Sequence, residues 1–72
     1  MNPLLTRLCD AYADFLEACM AEYRTTQDPE RAVWCKIARS HVHIAQQYGD
    51  LDKTEDALAN LAEAERIIHF LF

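Results

Sequence analysis

At 72 residues, with seven Lys and Arg against twelve Asp and Glu and a net charge of −5, the chain has room for one small domain. The negative balance argues against nucleic acid as a partner, because phosphate binding needs clustered Lys and Arg. A chain this short buries only about 60% of its unfolded surface, so disulfides, a metal or oligomerisation commonly supplement such a core.

Asn2-Pro3 sets an N-cap acceptor before a proline at the first helical position. Leu5, Leu8, Tyr12, Phe15, Cys19 and Tyr23 then recur at alternating three- and four-residue steps, the period of one helical face. Leu4, Cys9, Leu16 and Met20 widen that face to nearly half the cylinder, and Arg7, Asp10, Asp14 and Glu17 hold the other side. The pattern predicts a helix over 3–24, interrupted by "RTTQD".

Asp28-Pro29 repeats the cap-and-proline signal and predicts a second helix over 29–48, with an apolar face of Val33, Trp34, Ile37, Ala38, Ile44, Ala45 and Tyr48. Gly49, the one glycine, stands where a left-handed C-terminal cap is expected. Asp52 and Glu55 have capping-box spacing and open a third helix over 53–71, whose stripe is Ala57, Leu58, Leu61, Ala64, Ile68 and Leu71 or Phe72. Connections of about four to six residues make neighbouring helices antiparallel. No alternating strand pattern occurs, so the expected class is all-α: a small antiparallel bundle of about three helices in a single domain over 1–72, completed by dimerisation.

"DAYADFLEA" at 10–18 echoes "DALANLAEA" at 56–64, which either reflects two amphipathic helices built from similar residues or equivalent places for helices 1 and 3. "YGDLDKTEDAL" resembles the turn and second-helix start of a tetratricopeptide-type hairpin. It lacks the 34-residue period and the small and aromatic positions of that repeat's first helix, and no fold is taken from it.

Cys9, Cys19 and Cys35 are odd in number and without C-x-x-C spacing, as expected of reduced cysteines in a cytoplasmic protein. The start has no signal-peptide pattern, and no segment nears the roughly 20 apolar residues that span a bilayer. His41 and His43 are two residues apart, about 200° around a helix, and cannot hold one metal from the same face. His41 falls among Trp34, Ile37, Ile44 and Tyr48 and reads as a packing residue. Singly scattered cysteines lack the paired spacing of structural zinc sites, and no phosphate loop or activated nucleophile is visible. No cofactor and no enzymatic activity are expected.

Lys36, Arg39 and His43 form a basic stripe with Gln46 and Gln47. Arg31, Lys36 and Arg39 against Asp28 and Glu30 give residues 28–48 a net +1, in contrast to the acidic third segment. The stripe is either a solvated face or a docking strip for an acidic partner or for the acidic flank of a second copy. At the other extreme, "RIIHFLF" puts Ile67, Phe70, Leu71 and Phe72 around the whole last turn, a distribution that belongs to a helix covered by a second copy or a different protein, and it predicts Phe70 and Phe72 in a contact between chains. The sequence therefore predicts a small cytoplasmic interaction protein that inhibits or chaperones a partner, in the manner of phage-type inhibitors, anti-activators and co-chaperones, and that forms a homodimer. The alternative is a metal- or redox-responsive regulator using Cys9, Cys19, Cys35 and His41.

Overall fold

The computed structural model describes residues 2–72, which form three α-helices: α1 (Pro3–Thr25), α2 (Pro29–Asp50) and α3 (Thr54–Leu71). Two of the helix starts follow the sequence signals. The Asn2 side chain accepts from the Leu4 N–H at 2.9 Å, and that of Asp28 from the Arg31 N–H at 3.2 Å, so each satisfies a donor that the first turn leaves open. The third start does not. Its N-cap is Lys53, which makes no side-chain cap bond, so the Asp52–Glu55 capping box is absent.

Asp52 instead takes the left-handed conformation, with φ 57°, and so does Gln27 in the first turn. Both residues end a helix in the same way. The Asp28 N–H reaches back to the Tyr23 carbonyl at 2.8 Å and the Gln27 N–H to Arg24 at 3.2 Å. The Lys53 N–H reaches Tyr48 at 2.8 Å and the Asp52 N–H reaches Gly49 at 3.0 Å. These paired bonds close the last carbonyls of α1 and α2 as a Schellman motif. Gly49 is thus no cap: it lies inside α2, buried, and the helix runs past it to Asp50. The tight closure leaves only three residues in each connection, 26–28 and 51–53, fewer than the spacing predicted.

Short turns fold the chain back on itself twice, so α2 runs antiparallel to both neighbours and packs against each. Cross-links fix the register. Arg39 meets Glu17 and Gln46 meets Asp10 on the α1 side, each at 3.0 Å; His41 meets Asn60 and Trp34 meets Phe70 on the α3 side. The result is a rod of 39 × 17 × 16 Å.

Two kinds of side chain fill the core. α2 contributes only small ones: Ala32, Cys35, Ala38, Val42, Ala45 and the backbone of Gly49. Volume comes from its neighbours, through Leu5, Leu16 and Met20 of α1 and Leu61 of α3. Leu16, Leu61, Val42, Cys9 and Cys35 are the largest fully buried groups, and among the described residues no polar or charged side chain is buried.

This distribution corrects the predicted apolar faces. In α2 only Ala38 and Ala45 of the expected face are buried, whereas Val33, Trp34, Ile37 and Ile44 are exposed. A helix clasped on two sides needs small residues along the line where both neighbours approach, so its bulky groups move to the flanks. In α1 the burial follows Leu5, Cys9, Leu16 and Met20, while Leu8 and Phe15 of the expected stripe stand out in solvent. The echo between α1 and α3 has no structural counterpart: Leu16 is buried where its match Ala62 is exposed, and Leu61 is buried where Phe15 is exposed.

Candidate functional site

The last turn of α3 carries apolar side chains on every side. Ile68, Leu71 and Ile67 are half-buried and pack on the core. Phe70 is 75% exposed and Phe72 66% exposed, yet neither ring is isolated. Phe72 lies 5.6 Å from Phe15 and 6.2 Å from Tyr23, centroid to centroid, on α1, and Phe70 lies edge-on to Trp34 of α2 at 6.0 Å. The two terminal phenylalanines therefore straddle the bundle, one ring laid on each neighbouring helix. Each touches its neighbouring helix while most of its surface stays in water.

Trp34 and Phe70 form a ridge between two clefts. On one side, a cleft of about 350 Å³ is lined by Trp34, Ile67, Phe70 and the aliphatic part of Arg66. On the other, a cleft of about 380 Å³ adds Asp28, Glu30 and Arg31 to Trp34, Phe70 and Leu71. The geometry suits an apolar anchor on the first side and hydrogen-bonding or charged groups on the second. That Trp34 stands on this surface is something sequence reasoning misses, because its hydrophobicity assigns it to the α2 core face.

The basic stripe is divided. Lys36 and His43 are exposed, but Arg39 is half-buried and its Nη1 donates to Glu17 Oε1 at 3.0 Å. Gln46, which shares the stripe, donates to Asp10 at 3.0 Å. Part of the stripe thus stitches α2 to α1. Reversing both Lys36 and Arg39 to Glu should keep helicity and lower stability by less than about 1.5 kcal/mol, because the partly solvated Arg39–Glu17 pair contributes only up to about 1 kcal/mol. Urea unfolding followed by circular dichroism measures this; a loss of the folded baseline would make Arg39 a structural residue.

His41 is half-buried and polar in its contacts. Its Nδ1 stands 3.2 Å from Asn60 Oδ1, and Asn60 Nδ2 donates to the Asp56 carbonyl at 3.0 Å. With the amide so oriented, Oδ1 can only accept, which makes His41 Nδ1 the donor. The residue packs at the α2–α3 seam and also pins it.

Burial pushes the thiols of Cys9, Cys35 and Cys19 up from the ordinary value of 9.0. Neighbouring Asp10 adds to this at Cys9, and Cys19 adds to it at Cys35. A raised thiol is a poor nucleophile. Tyr12 is raised as well, first by burial and then by the Glu65 carboxylate that faces its hydroxyl from α3. Among the described residues no three His, Cys, Asp or Glu side chains converge on a point that could hold a metal.

These shifts have one consequence for stability. Above pH 9.0 the unfolded chain releases thiol protons that the folded chain still holds, so stability should fall as pH climbs. The same groups contribute fully below that value. Urea midpoints that hold steady between about pH 8 and about pH 10.5 would contradict the burial-raised thiols.

No family model, curated protein or solved structure matches the chain. No helix among the described residues is long and apolar enough to cross a membrane.

Proposed function

We propose that this chain is a small non-enzymatic helical interaction protein of the cytoplasm, which binds a partner protein through its last helical turn and so inhibits or chaperones it. The observation that carries the reading is the ridge of Trp34 and Phe70 with the apolar cleft beside it, at Ile67 and Arg66. Burying an exposed phenylalanine is worth about 1.5–3 kcal/mol, and an aromatic ridge beside a cleft has the form of an interface anchor. Phe70 and Phe72 are among the most exposed large apolar groups, and Trp34 beside Phe70 joins them into a patch of the kind that docks another protein. Leu71 lines the polar cleft beside the ridge, Phe72 carries the apolar end of α3 across to α1, and Lys36 and Arg39, with His43 beside them, supply positive charge on a separate face of α2 toward acidic groups of the partner. The chain also associates with itself, most simply as a twofold dimer.

Phe70→Asp tests the partner site. A side chain exposed to 75% should accept Asp within about 0.5 kcal/mol, so the fold survives while the anchor is lost. Affinity capture from the native host with wild-type and Phe70→Asp bait, quantified by mass spectrometry, should show a partner retained in stoichiometric amount by the wild type and lost with the variant. Identical captures from the two baits would overturn the assignment of the last turn.

A further inference from the structure

The proposed self-association leaves open which face receives the second copy, and α1 carries a pattern that answers it. Leu4, Leu8, Ala11 and Phe15 are all exposed, Leu4 to 72%. Their steps of four, three and four residues make a straight seam of the kind that pairs two helices in a coiled coil, with Leu8 and Phe15 at a and Leu4 and Ala11 at d. The seam lies beside the α1 core line, on the side of α1 that meets α3 at Phe15 and Tyr12. Phe72, at the end of α3, sits on Phe15, and Leu58, 51% exposed, lies two helical turns before Glu65, on the face that turns toward Tyr12 of α1. An entering helix would therefore find apolar side chains from two helices.

The flanking charges choose the occupant. In this heptad register the e positions, Leu5, Tyr12 and Cys19, belong to the protein's own core side and are buried or half-buried. The g positions on the solvent side are Arg7 and Asp14, both exposed, with no ion-pair partner among the described residues. They carry opposite charges one heptad apart. When two copies of α1 meet antiparallel about a twofold axis between Leu8 and Ala11, Leu4 comes level with Phe15 of the other copy and Leu8 with Ala11. Antiparallel coiled-coil geometry sets g against g, which places Arg7 opposite Asp14 at both ends of the contact. An acidic chain repels its own copies in general, and here the seam supplies two attractive pairs that no parallel arrangement would form.

We propose that the second copy docks on this face, α1 against α1 in antiparallel orientation, leaving the Trp34–Phe70 ridge free for the partner protein. The inference rests on the self-association put forward above. Sedimentation equilibrium across a concentration series tests it, using wild type, Leu8→Asp, Arg7→Asp, Asp14→Arg, the double variant Arg7→Asp/Asp14→Arg and Phe70→Asp. The wild type should be a dimer. Leu8→Asp should be a monomer with unchanged helicity, and each single charge reversal should raise the dissociation constant at least about tenfold. The double variant should recover wild-type affinity, because the exchanged charges again attract across the contact; Phe70→Asp should dimerise like the wild type.

A double variant as weak as the singles overturns the antiparallel pairing. A dimer indifferent to Leu8→Asp but abolished by Phe70→Asp moves the second copy to the last turn and overturns the α1 face. A monomeric wild type removes self-docking altogether, while the capture experiment with Phe70→Asp still decides the partner site independently.

Discussion

Leu61→Ala is expected to destabilise the protein by about 2–5 kcal/mol, the range for removing a fully buried leucine. Leu61 is 1% exposed and is the one large, fully buried side chain that α3 contributes to the core. Its neighbours on the helix, Ala57 and Ala64, are too short to fill the space left behind, and α2 offers only Ala, Cys, Val and Gly along its buried line. The site therefore cannot collapse well, and the cost belongs toward the upper end. A 72-residue domain at roughly 0.05–0.15 kcal/mol per residue has about 4–11 kcal/mol in total, so this truncation removes a large share of it. Urea unfolding should show a marked fall in midpoint, or no folded baseline at all. Leu58→Ala, on the same helix but half in solvent, is the internal control and should cost much less. Equal costs for the two would mean that α3 is rotated from the orientation described.

The number, order and approximate limits of the helices are legible because each rests on local chemistry. Asn2-Pro3 and Asp28-Pro29 act within one turn of themselves, and their side-chain bonds form as the residue types dictate. Periodicity likewise reports that a helix has an apolar side. What it cannot report is which part of a broad apolar side faces inward. α1 has apolar groups over nearly half its circumference, and the core takes Leu5, Cys9, Leu16 and Met20 while Leu8 and Phe15 stay outside. Only the position of α2, set by two three-residue turns, resolves that choice. The turns themselves mislead because glycine is the commonest left-handed residue, so Gly49 draws the assignment that Asp52 holds. Gly49 serves packing instead, at a level where α2 must be thin.

The candidate site divides along the same line. That Phe70 projects outward follows from its angle around α3, and the structure places it 75% exposed. Its pairing with Trp34 does not follow, since hydrophobicity alone places Trp34 in the core. Large apolar residues are poor indicators of burial in a helix held on two sides. In α2 the signal for the buried line is the recurrence of small residues at 32, 35, 38, 42, 45 and 49, a pattern that bulky-residue periodicity masks.

Ala38→Leu turns this reading into an expected result. The register fixed by His41 with Asn60 and Trp34 with Phe70 brings Ala38 level with Ala64 and Ala45 level with Ala57, all four fully buried. Small residues thus meet small residues along the α2–α3 seam, and the two helices lie close. A leucine at 38 has no void to enter, so it must push α3 outward or leave its preferred rotamers, at about 1–3 kcal/mol or more. Separation of α3 would also part Trp34 from Phe70 and His41 from Asn60, which lie on either side of the wedge. Trp34 is the only tryptophan in the chain, and its fluorescence reports that separation directly. The expected outcome is a lower urea midpoint together with a red-shifted Trp34 emission before any denaturant is added. Ala62→Leu, at an exposed position of α3, should change neither. An Ala38→Leu protein with the stability and emission of the wild type would show that α2 and α3 are spaced widely enough to admit a leucine, and the small-residue line would lose its role in holding the fold.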